Sequence, residues 1–195
     1  PPVIVTNGFL REHKGARRLI EAMPEILKAF PNATLRVQCS LYPSEDSRRE
    51  ADACEQAVKR LELGDRVVID TRFLDKRDVL AEIGKGDIVV LPYDQSIEGG
   101  SASAGDALGL SLPIIASAAH VFDDIRDVVI TTEIDGVNLA RTAIELLSDP
   151  ALYGALSRAS STYASENSWD NVAGAFFSAL SPVQVLAKRP KMSEA

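Results

Sequence analysis

Glu98-Gly99-Gly100-Ser101-Ala102-Ser103-Ala104-Gly105-Asp106 follows an apolar run, Ile88 to Pro92, and precedes another, Pro113 to Ser117. Two carboxylates thus bracket seven residues with little or no side chain, at the junction where a strand would give way to a helix. Backbone N–H groups at such a junction are free to point at an anion. With a helix start near Ser101, Glu98 stays in the loop and Asp106 lies about one and a half turns inside, roughly 7 Å along the axis. The spacing predicts a pocket for an elongated ligand, with phosphate at the helix N-terminus and a carboxylate toward each end. A carboxylate also suits a ribose diol, because it accepts hydrogen bonds from both hydroxyls.

Outward from this stretch, apolar runs alternate with helical patterns. Val3 to Thr6 reads as a short strand closed by an Asn7-Gly8 turn. A loop with Arg11, His13 and Lys14 then leads through Gly15 into a helix from Ala16 to Phe30, which Pro24 should kink or divide. Leu35, Val37 and Cys39 alternate with polar residues as a strand does, and a polar helix runs from Ser44 to Leu61. Arg66 to Asp70 is a further strand, and Asp75 is the expected cap of a helix packing through Val79, Leu80 and Ile83. Ile88 to Leu91 is apolar without alternation, as in a central strand covered on both faces. A strand at Ile114, a loop holding His120, a short strand at Val128 to Ile130 and three helices follow, the second opened by Asp149-Pro150 and the last by Ser168-Trp169. The pattern is a doubly wound, Rossmann-like α/β domain with a parallel sheet of about six strands and extra helices at its C-terminal end.

The domain is expected over residues 1–181, with 182–195 as a flexible, solvated tail carrying Lys188, Arg189 and Lys191. The chain starts Pro1-Pro2 and enters a strand almost at once, which reads as a domain cut from a longer protein.

Composition narrows the function. A net charge of −7 argues against general nucleic-acid binding, which needs a basic face. Two cysteines, Cys39 and Cys54, read as buried thiols of a reducing compartment, and two histidines give no metal-site spacing. No signal peptide or membrane-length apolar run is seen, so a cytoplasmic location is expected. Gly84-Lys85-Gly86-Asp87 lacks the residues of a phosphate-binding P-loop and precedes a strand; G-x-G-x-x-G after the first strand and G-x-S-x-G are absent.

Arg11 and Lys14 follow the first strand and, in a parallel sheet, share an edge with the Glu98 loop. Two cations there neutralise a diphosphate, and they lower a barrier most where that diphosphate is a leaving group gaining charge.

Together these residues resemble the C-terminal, donor-binding domain of a GT-B fold retaining glycosyltransferase, in the large bacterial and archaeal group 1 family. Gly8 followed by Lys14-Gly15 matches the family's first pattern; Glu98, Gly99, Ala107 and Pro113-Ile114-Ile115-Ala116-Ser117 match the second; Ser168-Trp169 matches the third. The resemblance covers Val3 to about Leu180. It implies metal-independent transfer of a hexose from a nucleotide diphosphate sugar to an acceptor hydroxyl with retention, as in bacterial polysaccharide synthesis, without a cofactor. It implies that Lys14 and an arginine, here Arg11, stabilise the diphosphate, that Glu98 meets the donor sugar, and that Asp106 takes the ribose. Gly8, Gly99, Gly100, Ser101 and Ala102 would complete the donor site. The acceptor, a glycan or lipid-linked sugar, would sit on an N-terminal domain outside this chain, in the cytoplasm or at the inner membrane face. The sequence departs from the family at Phe9, where an arginine is expected, at Asp106 for glutamate, and at Ser101 and Ser111 for glycine. A sugar-nucleotide epimerase, a phosphorylase of the same fold and a non-catalytic binding module are the alternative readings.

Overall fold

The computed structural model describes residues 1–186, with side chains as far as Leu180. Six strands, β1 (Val3–Leu10), β2 (Thr34–Leu41), β3 (Val67–Asp70), β4 (Ile88–Leu91), β5 (Ile114–Ser117) and β6 (Ile130–Thr132), form one sheet. Every neighbouring pair is parallel, in the order β3-β2-β1-β4-β5-β6. The strand order reverses between β1 and β4, and a ligand crevice is expected beyond the carboxyl ends of strands at such a point.

Seven α-helices connect and cover the strands: α1 (Ala16–Ala29), α2 (Glu45–Arg60), α3 (Lys76–Ile83), α4 (Ala102–Gly109), α5 (Gly136–Ser148), α6 (Pro150–Glu166) and α7 (Trp169–Leu186). Side chains alternate across each strand, so the sheet has two apolar faces. Ile4, Leu35, Val37, Ile88 and Val90 pack with Leu19, Ile20, Met23 and Leu146 of α1 and α5. Val5, Val89, Leu91 and Ile114 face Ile83 of α3, and Ala104, Ala107 and Leu108 of α4. Each such fully buried Leu or Ile contributes about 1.5–3 kcal/mol relative to leaving it exposed.

Several boundaries differ from the sequence reading. β1 does not turn at Asn7-Gly8: its pairing with β2 runs in unbroken register from Val3↔Thr34 to Leu10↔Leu41. Gly8 makes this possible with a φ of +130°, which other residues rarely adopt. Pro24 does not divide α1, because Leu19, Ile20, Ala22, Met23 and Ile26 are buried on both sides of it. That packing offsets the roughly 3 kcal/mol a helix-interior proline costs. The stretch around His120 is 3₁₀-helical from His120 to Val128, and β6 begins at Ile130, two residues after the expected start.

The caps follow the sequence closely. Ser44, Asp75, Ser101, Asp135 and Asp149 each accept a backbone N–H from the first turn of the helix they open. On α7, Trp169, Val172, Phe176, Phe177 and Leu180 are all exposed. Helix α7 reaches Leu186, and the rest of the expected tail, 187–195 with its three cations, lies outside the described residues.

Candidate functional site

β1 is followed by Arg11 and a short 3₁₀ turn, Glu12–Lys14, that closes on Gly15. Gly15 has a φ of +72°, and a Cβ there would lie 2.1 Å from the carbonyl oxygen of Pro92, beyond β4. Only glycine lets the β1 loop press against the β4 loop this closely. The contact brings the basic loop beside the Glu98 segment, across the point where strand order reverses.

Between them opens a cleft of about 460 Å³, within the range of small-ligand sites. Its lining includes Gly8, Arg11, Lys14, Glu98, Gly100, Ser101, Ala102 and Asp106, so nearly all the residues singled out in the sequence converge. Gly99 is the exception: it is not part of the lining. Asn7, Phe9, Gln38, Ser40, Phe73, Leu74, Lys76, Val79 and Ser103 complete it, and sequence spacing had marked none of these as site residues.

Two of the cations inside, Lys14 and Lys76, are paired with carboxylates. Lys14 Nζ contacts Glu98 Oε2 and lies 4.0 Å from the centroid of the Tyr93 ring, within cation–π range. His13 Nε2 stands 3.7 Å from the other oxygen of Glu98. Burial pushes the Glu98 carboxyl up, but the Lys14 hydrogen bond and the charges of Lys14 and His13 outweigh it, leaving its pKa below the ordinary value. At the opposite end Lys76 of α3 contacts Asp106 of α4, whose side chain is 13% exposed.

Arg11 has no carboxylate within ion-pair distance among the described residues. Its guanidinium lies 4.9 Å over the Tyr42 ring, and Phe9 meets that ring edge-on at 5.4 Å. Phe9 therefore braces the aromatic platform on which Arg11 rests.

Ser101 caps α4, and its Oγ accepts the Ala104 N–H at 3.2 Å. No acidic residue occupies the first turn of α4, so the positive end of the helix is not neutralised locally. Cys39 and Cys54 are free and buried, and burial raises the Cys39 thiol to about 12. Among the described residues no cluster of three or more His, Cys, Asp or Glu is placed to hold a metal ion, and no helix is long and apolar enough to cross a membrane.

An all-parallel sheet that reverses order beneath a cationic cleft defines the doubly wound α/β class, with its crevice at the sheet's carboxyl edge. A family model described as "Glycosyl transferases group 1" matches residues 1–149, and the chain belongs to that family. A GDP-mannose-dependent monoacylated alpha-(1-6)-phosphatidylinositol monomannoside mannosyltransferase of Corynebacterium glutamicum is 27% identical over 178 residues, covering 87% of this chain and 44% of that protein. The C-terminal domain of a glycosyl transferase group 1 family protein from Francisella tularensis superposes with a TM-score of 0.73 at 22% identity, covering 85% of each chain. Sucrose-phosphate synthase from Thermosynechococcus elongatus gives a TM-score of 0.80 at 21% identity, over 95% of this chain and 46% of that one. The fold is thus that of GT-B glycosyltransferase C-terminal domains, and the chain spans under half the length of the mannosyltransferase.

Proposed function

We propose that this chain is the donor-binding half of a glycosyltransferase that moves a hexose from a nucleotide diphosphate sugar to an acceptor hydroxyl, with retention and without metal or other cofactor. The observation that carries the reading is the convergence of Arg11, Lys14, Glu98 and the N-terminus of α4 on one cleft at the sheet's switch point.

In this reading the diphosphate lies against the first turn of α4, where Gly100, Ser101 and Ala102 supply backbone N–H groups. Arg11 substitutes for the arginine expected at position 9, approaching from its Tyr42 platform. As the bond between the sugar C1 and the diphosphate oxygen breaks, the electron pair stays on that oxygen, and Arg11 and Lys14 meet the growing charge. Arg11 offers a planar fork and Lys14 a point charge. The acceptor oxygen bonds to C1, and its proton passes to the departing diphosphate oxygen, which holds the electron pair of the broken bond. Glu98, freed from Lys14 by the incoming phosphate, turns to the hexose, and Asp106 takes the ribose. A second domain closes over the cleft, brings the acceptor and excludes competing water. The acceptor is a glycan or lipid-linked sugar, handled in the cytoplasm or at the inner membrane face. GDP-mannose, which the Corynebacterium relative is named for using, is the first donor to test.

Calorimetric titration with UDP, GDP, ADP and their common sugar conjugates tests the reading. One nucleotide should bind with micromolar to millimolar affinity, on the order of −4 to −8 kcal/mol, without added metal, and Lys14→Ala should weaken it. A well-folded chain that binds none of them would overturn the donor-site assignment and leave a binding module as the better account.

A further inference from the structure

One end of the cleft is apolar. Phe73 and Leu74, in the segment between β3 and α3, and Val79 of α3 line it beside Lys76. Phe73 is 81% exposed, and among the described residues its ring meets no other aromatic ring and no cation. A solitary exposed phenylalanine is ordinary, but this one lines a cleft together with two further apolar side chains. Sheet order fixes where that end lies. Neighbouring strands are about 4.8 Å apart, so with β2 and β1 between them the β3 edge stands about 14 Å from the β4 edge. Glu98 and the start of α4 follow β4, whereas Arg11 and Lys14 follow β1. Phe73 is three residues before Lys76, which contacts Asp106, the residue given to the ribose. A nucleotide sugar laid along this line, with its hexose at Glu98, its diphosphate at α4 and the basic loop, and its ribose at Asp106, has its base left to place. The Phe73 end is the part of the cleft that remains.

The polar side chains at that end are already engaged. Ser40 Oγ donates to the Arg72 carbonyl oxygen at 2.9 Å. Gln38 is engaged with the Asp70 carboxylate, its register neighbour on β3, and Lys76 with Asp106. Reading the hydrogen-bonding edge of a base with these side chains would disturb one of those contacts, whereas stacking on an open ring disturbs none.

We propose, resting on the function above, that Phe73 stacks on the nucleobase of the donor and that the donor is a purine nucleotide sugar. Every base offers a flat π-face to an aromatic ring, and the two fused rings of a purine overlap it more fully than the single ring of a pyrimidine. With the side chains at that end engaged elsewhere, the area of overlap decides the preference.

Calorimetric titration of the 195-residue chain with GDP, ADP, UDP and CDP, repeated on Phe73→Leu and Phe73→Tyr, tests this. GDP or ADP is expected to bind at least about fivefold more tightly than UDP and CDP. Phe73→Leu keeps an apolar side chain without a π-face, and should lose about tenfold in affinity for that purine nucleotide, as on removal of one base-stacking ring. Phe73→Tyr keeps the ring and should bind within about twofold of the wild type. Melting temperatures of the ligand-free variants should match the wild type, because the ring is exposed. Unchanged affinity in Phe73→Leu overturns the inference and leaves the donor-site reading in place. An equal loss in Phe73→Leu and Phe73→Tyr also overturns it, since the residue then acts by positioning its loop. A pyrimidine nucleotide bound more tightly than both purine nucleotides overturns the purine assignment. Absence of binding by the wild type to all four removes the proposed function and this inference together. Phe73→Ala gives the same readings should the leucine variant fail to fold.

Discussion

Lys14 and Glu98, 84 residues apart in sequence, form an ion pair across the cleft, and the Tyr93 ring lies 4.0 Å from the same ammonium. In the ligand-free protein the cation that the proposed function gives to the diphosphate is therefore held by a carboxylate. Binding must exchange one anion for another. Glu98→Gln removes the competitor, and nucleoside diphosphate affinity is expected to rise about threefold to tenfold, whereas Lys14→Ala lowers it by about tenfold or more. Titration of both variants with one diphosphate checks this, and equal losses in both would show that Glu98 contacts the nucleotide directly.

Lys76 and Asp106 repeat the arrangement at the far end. Asp106→Ala should weaken nucleotide binding by roughly 1 to 3 kcal/mol, the loss of charged hydrogen bonds. Lys76→Met should strengthen it or leave it alone, because under the proposed function the freed carboxylate is then available to the ribose. Weakening by Lys76→Met, measured in the same titration, would make Lys76 itself a ligand contact.

Gly15 is the hinge of the site. Its φ of +72° and the Pro92 carbonyl 2.1 Å from a would-be Cβ mean that Gly15→Ala must move the basic loop away from the β4 edge. A loss of more than about 2 kcal/mol in urea unfolding is expected, together with loss of nucleotide binding. Gly99→Ala is the control: nothing lies within 4 Å of its would-be Cβ, and its unfolding curve should hardly change.

Asp70 predicts an acid limb in the stability profile. Hydrogen bonds from the Arg72 side chain, partly countered by burial, bring its carboxyl down to about 2. Its folded pKa lies below the unfolded one, so the native state binds fewer protons between the two. The contribution is complete above the unfolded value, about 3.9, and is lost as the pH falls toward 2. Asp70→Asn should cost roughly 1 kcal/mol at pH 7, less than the full shift because Arg72 is exposed. The gap between variant and wild type should close near pH 2 in thermal melts.

Much of this protein is local and so was readable in the chain. Ser44, Asp75, Ser101 and Asp149 cap helices because a short polar side chain can reach the first-turn N–H groups of its own segment. The uninterrupted apolar run of β4 is buried on both faces, and the bracketed stretch from Glu98 to Asp106 opens α4 where the spacing puts it. Other boundaries depended on distant partners. Asn7-Gly8 has turn chemistry, but pairing along the whole of β2 keeps it in the strand, and Pro24 remains inside α1 because a core on either side outweighs one lost hydrogen bond.

By itself, then, the sequence determined the parallel α/β architecture and the two segments that build the cleft, since periodicity, caps and spacing are properties of neighbouring residues, while the family was legible through the resemblance carried by Gly8, Lys14-Gly15 and the Glu98 stretch. Only the tertiary structure decided which charges stand free. Lys14 and Lys76 are each bound by a carboxylate, Arg11 rests on Tyr42, and Asn7 is buried without a partner. The reason is physical: the state of a polar group depends on what lies within a few ångströms of it, and in a parallel sheet those neighbours come from strands and helices dozens of residues away.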